Sequence, residues 1–247
     1  MTDNAEAAAT GAQNLCSAMG ESGEVALIVQ DSVSGNAADR VEAFREEIES
    51  GHPQVTIVET IYMDQLEEVK REAAAEELGV SQEDLKAWTA AAAGAGDASG
   101  TEEGAEAGEL SEETRTKLED IDSLAESMSD EDAVAYRLGK HPKLGGCFGT
   151  NADAVILGAR VLNNMEKADD DIVLMGFDTG KDQIEALKNG EIDGLVVQNP
   201  FGMGYATVVA AARTVLEIGN EAEVDTGYVW VDQENMEEES VQSMLYE

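Results

Sequence analysis

The chain has 247 residues, room for one large domain or two small ones, with 53 acidic against 15 basic residues and a net charge of −38. Such an acidic chain repels phosphate backbones and anionic headgroups, which argues against nucleic-acid binding and against a membrane surface held through a basic patch. Its 43% hydrophobic content suffices for a packed core, no apolar run approaches a membrane span, and the opening MTDNAEAAAT lacks the basic and apolar regions of a signal peptide.

In chain order, residues 4–19 carry small and apolar side chains at helical spacing and end at a glycine turn over 20–23. EVALIVQ (24–30) is a nearly continuous apolar run, the pattern of a strand covered on both faces. A helix over about 36–50 follows, with Val41, Phe44 and Ile48 on one side, and VTIVETIYM (55–63) reads as the next strand. After an interruption, a helix near 130–139 leads to LGGCFGT (144–150). Helix 153–165, strand 171–177, helix 181–189, strand 194–198 and helix 202–218 come next, then strand 227–231 and a final helix over about 234–246. Repeated βα units predict an α/β fold, a Rossmann-like and mostly parallel sheet with helices on both faces.

The interruption covers residues 65–127. Its first part predicts two helices broken at Gly79, with Ser81 as the cap of the second. Residues 90–110 are rich in Gly, Ala and Glu with almost no large apolar side chain, a composition expected to stay flexible. A further helix over about 111–126 returns to the βα rhythm. The whole reads as a solvated acidic excursion, with Trp88 as its one large anchor, packed onto the body or offered to a ligand cleft.

Few residues suggest catalysis. Cys16 and Cys147 lie far apart without a CxxC pattern, so they read as small core residues and no metal site is expected. His52 and His141 each precede a proline after a helical stretch and read as turns into a strand. GAGDASG (94–100) has the wrong spacing for a dinucleotide fingerprint, and GMGYAT (202–207) lacks its third glycine. No GxSxG, HExxH or P-loop is present, and no cofactor is implied.

What remains is a polar set at the C-terminal ends of strands, where open α/β sheets bind ligands. Arg40 follows the first strand, Asn151 the third, Asp178 the fourth, and Gln198 ends the fifth. One guanidinium, one carboxylate and two amides suit a neutral polyol: the carboxylate accepts hydroxyl hydrogens, the guanidinium donates a fork, and an amide does both. The competing roles are local, with Asp178 capping helix 181–189 and Asn151 capping helix 153–165.

GNAADRVEAF (35–44), FGTNADAVILGA (148–159), VLMGFDTGKDQIEALKNGEIDGLVVQNPFGMG (173–204) and DTGYVWVDQEN (225–235) resemble the ribose/galactose-type periplasmic sugar-binding proteins. These are the type I solute-binding components of ABC importers, and they share a fold with LacI-type effector domains. The resemblance covers most of 1–63 and 128–247 and leaves 65–127 outside. It implies a two-lobed sugar binder without catalysis, an extracytoplasmic location, and ABC permease subunits as partners; a ligand-sensing effector domain is the alternative. It assigns ligand contacts to Arg40, Asp178 and Gln198, and to Asn151 or the Ala152–Asp153 pair. Tyr62 or Trp88 is left as a substitute for the family's aromatic near the end of its second strand.

By the same resemblance, residues 1–64 and 128–199 form the sugar-binding lobe and 233–247 a helix returning to it. Residues 200–232 are remnant elements of the other lobe, most of whose N-terminal portion has no counterpart here. Helix 202–218 is therefore expected to leave an apolar face exposed, swapped between copies, or covered by a second chain.

Overall fold

The computed structural model describes residues 2–95, 110–166 and 172–245. It divides into two compact units, one made of Met1–Asp64 with Arg137–Glu247 and the other of Gln65–Tyr136.

The chain opens with α1 (Asn4–Ala18), β1 (Gly23–Val29), α2 (Gly35–Gly51) and β2 (Val55–Tyr62). Four helices follow: α3 (Leu66–Glu77), α4 (Gln82–Ala95), α5 (Glu112–Ser127) and α6 (Asp130–Gly139). Alternation then resumes with β3 (Leu144–Gly149), α7 (Ala152–Asn164), β4 (Val173–Phe177), α8 (Lys181–Asn189) and β5 (Gly194–Gln198). The described chain closes with α9 (Pro200–Val215), β6 (Tyr228–Val231) and the single turn α10 (Glu239–Gln242).

Local chemistry explains where the helices begin and end. Asp3 caps α1 by accepting from the amides of Ala5 and Glu6, and Ser34 caps α2 through the amide of Ala37. Gly190 ends α8 at φ 78°, a left-handed stop that costs glycine little. His52 and His141 occupy matching turns: each carbonyl accepts an amide three residues on, from Val55 at 2.9 Å and Leu144 at 3.0 Å. Both are the helix-to-strand turns expected from the sequence.

The six strands run in the order β2-β1-β3-β4-β5-β6. The first five are parallel, and β6 pairs antiparallel with β5 from Leu195–Val231 to Gln198–Tyr228. This corrects the assignment of 227–231 to another lobe: its backbone extends this sheet. Helices cover both faces. On one, α1 and α2 pack Ala8, Leu15, Phe44 and Ile48 against Val25, Leu27, Phe148 and Phe177. Rings stack through this core, Phe44 to Phe148 at 4.6 Å and Phe148 to Phe177 edge-on at 5.9 Å. On the other face α7 lies against β1, β3 and β4. Cys16 and Cys147 are fully buried and unpaired with each other, as expected of core residues.

The second unit has a core of its own, which the sequence reading did not anticipate. Ala74, Val80, Leu85, Leu118, Ile121 and Ala125 form it, and Trp88 packs against them. Trp88 therefore anchors this unit internally. Gly79 breaks α3 from α4 at φ 71°, and the Ser81 hydroxyl accepts the Asp84 amide as a cap. Arg71 bonds Asp122 at 2.7 Å, tying α3 to α5. Of the stretch expected to be flexible, residues 90–95 continue α4, and 96–109 lie outside the described residues.

Two helical expectations change at the C-terminal end. The helix expected over 202–218 begins at Pro200 and ends at Val215, and none of its residues is buried. The helix expected over 234–246 shrinks to Glu239–Gln242, because Asp232 Oδ1 accepts the amides of Glu234 and Asn235 while Asn235 Nδ2 donates to the Trp230 carbonyl. That closed polar turn competes with helix formation. No described helix is long and apolar enough to cross a membrane, and no described group of acidic, Cys and His side chains could hold a metal ion.

Candidate ligand-binding site

Parallel strands deliver their C-terminal ends to one edge of the sheet, and here the ends of β3 and β4 converge with the start of α1 on a buried guanidinium. Arg40, on α2, is only 6% exposed. Its Nε donates to Asn4 Oδ1 at 2.9 Å, its Nη1 donates to the Thr150 carbonyl, and its Cζ lies 4.0 Å from the centroid of the Phe177 ring. The Thr150 carbonyl is itself fixed. Its amide donates to Ile28 O at 2.9 Å, and its hydroxyl accepts the Gln30 amide at 3.0 Å. The end of β4 thus supplies a ring, the end of β3 an acceptor, and the start of α1 a second acceptor.

Asp178 follows Phe177 in a left-handed backbone conformation, φ 71°, uncommon for a residue with a Cβ. Its amide donates to Val196 O at 2.9 Å, which ties the turn to β5. Burial pushes its carboxyl above the usual carboxylate range, and Asp153 adds to the push. The Arg40 charge and a hydrogen bond from the Ala152 amide pull the other way. Arg40, Asp178 and the first turn of α7 therefore share one electrostatic neighbourhood. Strain and a desolvated carboxylate at the end of a parallel strand are what a ligand site looks like physically.

The competing local roles now separate. Asn151 is the N-cap of α7, its Oδ1 accepting the Ala154 amide at 3.0 Å. Asp178 is not a cap: α8 is preceded by Gly180 and has no side-chain cap. Asp153 lies exposed in the first turn of α7, beside Asp178 electrostatically. Gln198 stands one strand further out, half-buried at the end of β5 with Tyr228 as its register partner. Tyr62 ends β2 and packs on the first unit's core.

Sequence reasoning missed the residues that hold Arg40. Asn4 read only as the start of a helix, and its role depends on a partner 36 positions away. Phe177 sat inside the quoted GFD motif without a function of its own. One concavity of about 420 Å³ is lined by Asn4, Asp39 and Asp225, and a groove of about 270 Å³ between α7 and α8 is lined by Arg160, Asn163, Asp182 and Glu185.

Residues 102–220 match the family profile described as periplasmic binding protein domain. Among solved structures, the chain is similar to a carbohydrate transporter solute-binding protein from Agrobacterium radiobacter in complex with D-arabinose, at 20% identity and TM-score 0.69, covering 99% of this chain and 64% of that one. It is also similar to two ABC transporter solute-binding proteins from Agrobacterium vitis. One, with bound D-fucose, is 21% identical with TM-score 0.64, covering 100% of this chain and 63% of that one. The other, with α-D-tagatopyranose, is 20% identical with TM-score 0.67, covering 100% and 62%. Among curated proteins, no sequence matches the chain.

The fold is that of the sugar solute-binding proteins of ABC transporters, and the chain spans somewhat under two thirds of these structures' length. The profile match begins inside residues 65–127, which the sequence reading set outside the resemblance, and the structural alignments cover 100% of this chain.

Proposed function

We propose that this chain contributes a sugar-binding surface to the solute-binding component of an ABC importer, recognising a monosaccharide without chemical conversion. The single observation that carries the reading is the buried Arg40–Asp178 neighbourhood at the C-terminal edge of the parallel strands. A sugar ring offers hydroxyl hydrogens to a carboxylate and hydroxyl oxygens to a guanidinium, and such charge-assisted bonds are the strong ones. The similar structures in complex with a pentose, a 6-deoxyhexose or a ketohexose support that ligand class.

Asp178 and Arg40 are the principal ligand contacts in this reading. Asp153 and Gln198 flank them, and Asn151 serves both as a cap and as an amide donor. Selectivity follows from burial: a sugar lacking the matching hydroxyl leaves a desolvated group unpaired. The partners are permease subunits and the location is extracytoplasmic. The exposed apolar side chains of α9 are covered by self-association or by a second chain.

A thermal-shift titration with D-arabinose, D-fucose and D-tagatose tests the reading. A bound sugar raises the melting temperature by mass action, and Asp178→Ala removes the rise. Normal binding by Asp178→Ala would overturn the proposed site.

A further inference from the structure

We propose that Asn4 is a positioning residue for the ligand-contacting Arg40, acting through Nε to set the plane of the guanidinium; the inference rests on the sugar-binding function proposed above. Three of its contacts bear on that plane. The Phe177 ring lies against the face at 4.0 Å, the Thr150 carbonyl accepts from Nη1, and Asn4 Oδ1 accepts from Nε at 2.9 Å. A stacked ring alone leaves the guanidinium free to rotate over its face, and one carbonyl leaves it free to pivot. The Nε contact adds a third fixed point, at the base of the guanidinium. Asn4 is held in turn: it is the first residue of α1, and its Nδ2 donates to Asn36 Oδ1 at 3.4 Å, in the first turn of the helix that carries Arg40.

The choice of an amide matters in a chain with 53 acidic residues. Aspartate has the same shape and would hold Nε more tightly. It would also place a second carboxylate beside Arg40, competing with Asp178 for the same positive charge. The neutral amide fixes geometry while leaving the guanidinium's field to Asp178 and to a ligand. Ordering a long side chain before the ligand arrives removes that cost from binding.

The experiment compares the full-length chain with Asn4→Ala, Asn4→Asp and Arg40→Ala, using D-arabinose and D-fucose as probes in calorimetry at several pH values. Exchange of the Arg40 Hε proton, followed by NMR, is measured alongside. Asn4→Ala is expected to weaken sugar binding about fivefold to tenfold and to speed Hε exchange. Asn4→Asp should rescue affinity at alkaline pH, while the pH below which binding falls moves upward because Asp178 loses part of its counter-charge. A purely structural asparagine would leave Arg40 Hε exchange unchanged in Asn4→Ala. If Arg40→Ala loses binding and Asn4→Ala keeps it, the inference fails and the function stands. If Arg40→Ala binds normally, or the unmodified chain binds neither sugar, the functional reading fails. In that case Hε exchange decides the positioning role, and an unchanged rate in Asn4→Ala overturns it. Should Asn4→Ala not fold, Asn4→Ser carries the comparison, and unchanged Hε exchange together with unchanged affinity overturns the inference.

Discussion

The Arg40 guanidinium carbon sits 4.0 Å from the centroid of the Phe177 ring, and both side chains are buried. A desolvated cation over an aromatic face gains from the ring's quadrupole, and the ring also fills space between Phe148 and α2. Phe177→Leu should therefore cost about 1–2 kcal/mol, combining lost ring volume with the lost cation–π contact. Urea unfolding measures it; an unchanged midpoint would show that the ring contributes nothing beyond bulk.

Asp178 holds φ at 71° although it has a side chain. Glycine takes that conformation without penalty, whereas alanine does not. Asp178→Gly should be more stable than Asp178→Ala by about 1–2 kcal/mol. The pair removes the same carboxylate, so the difference isolates backbone strain. Equal stabilities would remove strain from the account of this site.

The raised carboxyl of Asp178 fixes a sign for pH dependence. A folded-state value above the unfolded one means that the group favours folding fully below its unfolded pKa, and that this contribution is lost as pH rises through the folded value. Above that folded value the ionised, desolvated carboxylate is a burden. Asp178→Asn should accordingly gain on the unmodified protein as pH climbs out of the acid range and converge with it at low pH. Denaturation midpoints across that window check the direction, and the opposite slope would mean that Arg40 outweighs desolvation.

Gly176 and Gly149 let α7 approach the sheet closely. A Cβ at Gly176 would lie 2.2 Å from Val155 Cγ2 and 2.4 Å from the Gly149 carbonyl, and one at Gly149 would lie 2.6 Å from the Val155 amide nitrogen. Backbone atoms cannot yield as a side-chain tip can. Gly176→Ala should cost about 3 kcal/mol, and it should weaken sugar binding by moving the Ala152 amide away from Asp178. A soluble variant with normal stability would show that α7 can lift without penalty.

A net charge of −38 predicts a salt response. Self-repulsion between exposed carboxylates acts over about 8 Å at physiological ionic strength and over about 3 Å at 1 M. Raising KCl from low concentration towards molar should lift the thermal midpoint continuously as the folded surface is screened. A flat profile would mean that the charges are already spaced beyond each other's reach.

Much of the fold is legible in the sequence because each parallel strand states its burial locally. EVALIVQ needs no partner to be read as a doubly covered strand, and Ser34 announces the helix that follows it. The antiparallel β6 is different. Nothing in GYVWV says which strand it joins; the pairing with Leu195–Gln198 is a tertiary fact. Trp88 was misplaced for the same reason, since most of its own unit's core lies on α3 and α5, away from it in sequence. At the site, Arg40 and Asp178 stood out as charged groups near strand ends. Asn4 did not, because a hydrogen bond across 36 positions leaves no periodic trace.

The two buried thiols give the first unit an internal clock. Burial pushes both Cys16 and Cys147 up to about 12, with Glu21 and Glu47 adding to the push on Cys16, so neither forms appreciable thiolate while the sheet is closed. One lies on α1 and the other on β3 at the centre of the sheet. Alkylation of either then reports the opening of its own layer. Comparing their rates distinguishes peeling of the first helix from rupture of the sheet, without any engineered label.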